Sequence, residues 1–66
     1  MSVLKVLEIM AHSNESWEDA AQRGIAKATQ SVNGIKSAWV KDQSVTVKDD
    51  KVDEYRVTMK ITFEVS

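Results

Sequence analysis

The fold is decided by residues 52–65, which are VDEYRVTMKITFEV. Apolar and polar residues alternate strictly from residue 54 to residue 65. The apolar positions are Tyr55, Val57, Met59, Ile61, Phe63 and Val65. The polar positions between them are Glu54, Arg56, Thr58, Lys60, Thr62 and Glu64. Because successive side chains of a strand point to opposite faces of a sheet, this period of two predicts a long strand with one buried face.

Two further strands are predicted upstream. Residues 3–10 form the first, and its apolar residues fall on both faces. Residues 35–47 form the second, and residues 48–51 form the turn that joins it to the third. The apolar positions of the second strand change phase, so a β-bulge is predicted near residues 42–44.

The first strand has apolar residues on both faces, and such a strand is usually covered on both, whereas one helix covers only one face. The first strand therefore indicates a partner subunit.

A helical stripe lies between the first two strands, and Ser13 or Ser16 can cap its start. The apolar and small residues then recur at helical spacing. They are Trp17, Ala20, Ala21, Gly24, Ile25, Ala28 and Val32. We expect Trp17 and Ile25 to be buried and Gly24 to allow a close approach between helix and sheet.

The order of elements is therefore β-α-β-β in a single domain over residues 1–66. It predicts an α+β fold in which a three-stranded antiparallel sheet wraps around one helix. A chain of 66 residues buries only about 60% of its unfolded surface. The sequence has no cysteine and only one histidine, His12, which excludes disulfides and a Cys/His zinc site. Oligomerisation is the stabiliser that remains.

Composition argues against several classes of protein. Nine basic and ten acidic residues give a net charge of −1, so we expect no nucleic-acid partner. No apolar run approaches the roughly 20 residues of a membrane span, and residues 1–5 lack a signal-peptide layout. The cytoplasm is therefore the expected location.

A nucleophilic enzyme is not expected either. Ser13 cannot easily present its hydroxyl to the His12 imidazole and also cap a helix, and so small a unit forms no deep pocket.

The sequence resembles the dodecin family over essentially its whole length. The segments that carry the resemblance are residues 3–6 in the first strand, 13–20 opening the helix, 35–36 opening the second strand and 51–63 in the last strand. The last is the most specific, because it is similar to the family's Val-x-x-Tyr-Gln-Val-x-Leu-Lys-Val-x-Phe run. The resemblance implies twelve copies forming a hollow sphere. It also implies flavin binding for storage or for protection against photochemistry.

The resemblance also implies where a flavin would lie, and there this chain departs from the family. A tryptophan early in the second strand stacks on the flavin, and a glutamine after the last-strand tyrosine hydrogen-bonds it; here those positions hold Ser37 and Arg56. Serine has no π face, and arginine only donates hydrogen bonds. Trp39, one pleat further along the same face, could supply a displaced platform. We therefore expect a site for riboflavin or FMN of reduced affinity, made by Ser37, Trp39 and Arg56.

Two alternatives stay open beside the flavin shell. The pattern is closer to a dodecin subgroup that lacks the flavin residues and is associated with calcium. For such a cation, the candidates are Asp49 and Asp50 of the acidic turn, although the turn lacks the glycine and alternating ligands of an EF-hand loop. The second alternative is a structural shell without a ligand.

Overall fold

A computed structural model describes residues 3–65 of the chain. Strand β1 spans Val3–Ser13, helix α1 spans Trp17–Ala28, strand β2 spans Ile35–Lys48 and strand β3 spans Lys51–Val65. All strand pairs are antiparallel, and the order across the sheet is β1-β3-β2. The alternating segment is thus the central strand, and the predicted α+β fold of one helix on a three-stranded sheet is confirmed.

The helix is shorter than predicted, because the stripe continues to Val32 but α1 ends at Ala28. Beyond Ala28 the backbone continues in tighter turns with hydrogen bonds between residues three apart. The N–H of Gln30 donates to the carbonyl of Lys27, and the N–H of Ser31 donates to the carbonyl of Ala28. These are bonds of 3₁₀ type, which often close the last turn of a helix. The side chain of Thr29 also donates to the backbone, at 2.7 Å from the Ala26 oxygen.

The predicted bulge in β2 is found one residue earlier, at Lys41. The register against β3 shifts between Val40 and Asp42. Because of this extra residue, Val40 pairs with Met59 and Val45 pairs with Tyr55, so both valines share the helix-facing side of the sheet. The bulge therefore restores the phase of the apolar positions.

The core of the protomer is small. Its fully buried apolar residues are Ala20, Val57, Met59 and Ile61. Trp17 and Ile25 pack against this cluster but are only half-buried, so the prediction that both would be buried is wrong. The cause is that α1 packs mainly on β1 and β3, and leaves the helix-facing side of β2 without cover.

Trp17 connects the start of the helix to the hairpin of β2 and β3. Its indole N–H donates to the Ser44 carbonyl at 3.0 Å. Its ring meets Tyr55 edge to face, with 5.2 Å between centroids. Both contacts are of the kind that aromatic side chains favour. Trp17 therefore attaches the N-terminal end of α1 to the hairpin at Ser44 and Tyr55.

Gly24 sets the distance between α1 and the sheet. A Cβ placed on it would lie 2.8 Å from Met59 Cε and 3.0 Å from Ala11 Cβ. Both separations are below normal van der Waals contact, so any side chain here would push the helix off β1 and β3. The predicted close approach at Gly24 is confirmed.

We expect Gly24→Val to lower the free energy of unfolding by about 2 kcal/mol, because overpacking a close contact costs about 1–3 kcal/mol and the slightly better helix propensity of valine over glycine offsets only a few tenths of that. Urea unfolding at fixed protein concentration measures the loss. The matched control is Ala26→Val on the exposed side of α1, which should lose less than about 1 kcal/mol. Equal losses in the two variants would show that the approach at Gly24 is not tight.

A polar network fixes the start of α1. Ser16 is the N-cap and accepts from the Asp19 N–H at 2.9 Å. The hydroxyl of buried Ser13 donates to Asp19 Oδ2 at 2.6 Å and accepts from the Glu15 N–H. Arg23 Nε lies 2.6 Å from the same Oδ2. The Ser13 hydrogen bond first, and then Arg23, lower the pKa of Asp19.

A carboxylate whose pKa is lower in the folded than in the unfolded state stabilises the fold above its unfolded pKa, which is about 3.9 for aspartate. That contribution is lost as the pH falls through the folded pKa. Asp19→Asn should therefore be less stable than the wild type at pH 7, and the difference should narrow below about pH 4. Urea unfolding from pH 7 to pH 3 tests this. A difference that is the same at every pH would contradict it.

Candidate functional site

No element within residues 3–65 covers the face of the sheet opposite α1, and we call it the outer face. The alternation of β3 turns Arg56, Thr58, Lys60 and Thr62 toward it, because Val57, Met59 and Ile61 face the helix. Residues directly opposite in an antiparallel pair share a face, so the register adds side chains from the flanking strands. They are Leu4, Val6, Glu8, Met10 and His12 from β1, and Ser37, Trp39 and Ser44 from β2.

Trp39 is the large aromatic group of the outer face. It pairs in register with Lys60, whose ammonium nitrogen lies 6.0 Å from the centroid of the indole ring. A cation at that distance from a tryptophan face is held by the ring quadrupole. The side chain is still 48% exposed. The arrangement positions the ring while Trp39 as a whole keeps about half of its surface accessible to solvent.

Ser37 lies one pleat from Trp39, opposite Thr62. The two hydroxyls share a hydrogen bond of 2.6 Å, and Thr62 Oγ1 also lies 3.3 Å from the Ser37 carbonyl oxygen. The hydroxyl of Ser37, which stands where the resemblance implies a tryptophan, is therefore already hydrogen-bonded to Thr62. Ser37 lines the site without contributing a stacking surface.

Arg56 lies further along the same face, in register with His12 on one side and Ser44 on the other. It is four residues from Lys60, which is about 14 Å along a strand. Among residues 3–65 its guanidinium pairs with no carboxylate. The structure thus places all three predicted residues on one face, with Ser37 and Trp39 adjacent and Arg56 separated from them.

Sequence reasoning missed two polar contacts of this face. His12 Nδ1 lies 2.9 Å from Glu54 Oε2, because β1 runs three residues further than predicted and carries His12 into the sheet. Lys60 was assigned to the polar side of β3, but its position beside Trp39 follows only from the register. No local signal in the sequence reports either contact, since both join residues distant along the chain.

The acidic turn is a two-residue hairpin loop. Asp49 and Asp50 have φ values of 53° and 63°, as a type I′ turn requires at both central positions. No three acidic or histidine side chains converge into a metal-binding group within residues 3–65. Within residues 3–65, one copy of the chain therefore gathers no group of three acidic or histidine side chains around these aspartates.

Asp50→Gly should raise the free energy of unfolding by about 0.5–1 kcal/mol, because glycine adopts positive φ without the clash that a Cβ causes. If the turn binds no calcium, the gain should be equal in calcium and in a chelator. Lys48→Gly, in the adjacent strand, should instead be destabilising. A gain that disappears when calcium is added would show that the Asp50 carboxylate holds the ion.

The Dodecin family model matches residues 3–66 of the chain. A curated relative, the calcium dodecin of Mycobacterium tuberculosis, is 35% identical over 65 residues, which is 98% of this chain and 92% of the relative. The chain belongs to the dodecin family. Its membership supports the binding of a small ligand, as in other dodecins, and leaves open whether that ligand is a flavin or a cation.

Solved dodecin structures share the fold described above. The crystal structure of the calcium dodecin, a calcium-chelating antigen with a calcium-binding site, superimposes with a TM-score of 0.86 over 98% of this chain and 93% of that one. A T. thermophilus dodecin variant, 27% identical, gives 0.94 over 100% of this chain and 98% of its own. Dodecin from Streptomyces davaonensis, 25% identical, gives 0.95 over 98% and 96%.

Within residues 3–65, the single helix α1 is too short and too polar to cross a membrane. Trp39 of the outer face and Asp49 of the hairpin turn are ten residues apart along the β2 hairpin arm, which is about 33 Å of strand. The two kinds of ligand would therefore occupy different places.

Proposed function

We propose that this dodecin is a non-enzymatic, cytoplasmic shell of twelve identical subunits that binds a flavin on the outer face. The observation that carries the proposal is Trp39, a half-exposed aromatic ring held beside Lys60 on a face with no cover in the protomer. Catalysis has no support in the geometry of this face. Its histidine, His12, pairs with Glu54, and the hydroxyl of the neighbouring Ser13 donates to Asp19.

Assembly is supported by the amount of apolar surface that the protomer leaves in water. Val3, Leu4, Val6 and Met10 of β1 are each more than half exposed. Burying apolar surface contributes about 25 cal/mol per Å², so an exposed run of this kind favours association. Association into a closed shell buries these apolar residues in every copy, whereas contacts that do not close would produce fibres.

A flavin mononucleotide fits the spacing of the outer face better than riboflavin does. Stacking of its ring on Trp39 is worth about 1–3 kcal/mol on the scale known for bases on aromatic side chains. Arg56, about 14 Å further along β3, has no carboxylate partner within residues 3–65. It could therefore pair with a phosphate at the end of an extended ligand. Riboflavin has no such group and depends on stacking alone.

The second candidate is a cation-binding shell, favoured by the 35% identity to a calcium dodecin. Within one copy the acidic side chains of residues 3–65 form no cage. Calcium would therefore be held between subunits, with Asp49 and Asp50 as the candidates. A shell that binds neither ligand is the remaining alternative.

Titration of flavin fluorescence tests the proposal. FMN should bind about tenfold or more tightly than riboflavin, since one charge-assisted hydrogen bond is worth about 1.5–3 kcal/mol. Arg56→Gln should abolish that preference. Trp39→Ala should weaken both ligands about tenfold, whereas Trp17→Phe, on the other side of the sheet, should change neither. The double variant Ser37→Trp with Arg56→Gln should bind riboflavin at least tenfold more tightly than the wild type.

Two results would contradict the proposal. If neither flavin binds at millimolar concentration while calcium binds by calorimetry, the cation-binding shell is the function. If riboflavin binds at nanomolar concentration and Trp39→Ala abolishes binding, Trp39 has fully replaced the family's tryptophan, and the site is not weakened.

A further inference from the structure

A groove of about 460 Å³ lies between α1 and the free edge of β1. We call it the β1 groove. Its apolar lining includes Leu7 and Ile9 from β1, with Ala28 and Val32 from the end of the helix, and Lys27 lies among its polar residues. Because β1 pairs only with β3, its other edge has unpaired backbone groups along this groove. Proteins cover such an edge, since an exposed apolar edge strand promotes pairing with other chains.

The far end of the β2–β3 hairpin is the second incomplete surface. We call residues 45–54 the distal hairpin. A helix of twelve residues is about 18 Å long, whereas the fifteen residues of β3 extend about 50 Å, so α1 cannot cover the whole hairpin. Val47 is 67% exposed and Val52 is 51% exposed. β1 gives no cover here either, because it ends at Ser13, opposite Tyr55.

The two surfaces have complementary charge. Lys27 in the β1 groove forms no ion pair with any residue from 3 to 65. In the same range, Asp49, Asp50 and Asp53 of the distal hairpin form none either. The hairpin also carries Lys48 and Lys51, and its four carboxylates against these two lysines leave a net charge of −2. Each surface thus combines exposed apolar side chains with a net charge, and the signs are opposite.

We propose that the distal hairpin of one copy docks in the β1 groove of the next copy. The inference rests on the proposed self-assembly and names the surfaces that make it. Val47 and Val52 would cover Leu7 and Val32, and the acidic turn would face Lys27. Such a contact is heterologous, since two different patches meet, and its repetition closes a ring when the rotation between copies allows.

A carbodiimide, which condenses a carboxylate with an amine to an amide, tests the contact directly. Unlabelled and ¹⁵N-labelled proteins are mixed, dissociated, reassembled and cross-linked. Peptide mass spectrometry should find Lys27 joined to Asp49, Asp50 or Asp53, in pairs that combine one labelled and one unlabelled peptide. Native mass spectrometry of the same sample reports the assembly independently.

Charge reversal provides the second test. Lys27→Glu should raise the protein concentration at which the assembly half-dissociates at least tenfold, because like charges then meet at the contact. Gln22→Glu, which adds one negative charge on an exposed position of α1, should change it less than threefold. Mixing Lys27→Glu protein with Asp49→Lys/Asp50→Lys protein should recover assembly.

The outcomes distinguish the contact from the proposed function. An intact oligomer without mixed-isotope cross-links, and with no recovery in the charge swap, would overturn the contact and leave the shell standing. A monomer at micromolar concentration would overturn both. Loss of flavin binding in an oligomer that still shows the cross-links would overturn the proposed ligand alone.

Discussion

The structure depends on the packing of a short helix on a long strand. Helix α1 covers only the part of β3 that carries Val57, Met59 and Ile61, and it reaches them because Gly24 has no side chain. Burial of three large side chains is a small core for a chain of 66 residues. Many of the remaining apolar side chains of residues 3–65 stay exposed, especially along β1 and at the far end of the β2–β3 hairpin. These exposed surfaces are the basis of both the assembly and the site proposed above.

Ligand binding and assembly use different uncovered surfaces. The outer face presents Trp39 and Lys60 beside apolar residues of β1, whereas the β1 groove and the distal hairpin present apolar patches with opposite charges. A planar ligand on Trp39 would therefore not compete with the contact between hairpin and groove. Substitutions at Trp39 and Arg56 should be separable from substitutions at Lys27, and so binding and assembly can be dissected in one protein.

The strands, the helix and the bulge were predictable because each depends on local periodicity. Alternation in residues 52–65 identified β3, and the phase change in β2 required an extra residue, which is Lys41. The contacts of the site were not predictable in the same way. The placement of Lys60 beside Trp39 and of His12 beside Glu54 follows from strand register, which joins residues far apart in the chain. The partial exposure of Trp17 follows from the length of the helix relative to the hairpin.

The central claim is that the protomer is incomplete and completes itself with copies of its own chain. Sedimentation velocity at micromolar concentration, with the mass confirmed by native mass spectrometry, tests this most directly. We expect one closed species of twelve copies of the 7.4 kDa chain, with no concentration-dependent growth. A monodisperse, folded monomer under the same conditions would contradict it, because the exposed apolar faces would then be stable in water without a partner.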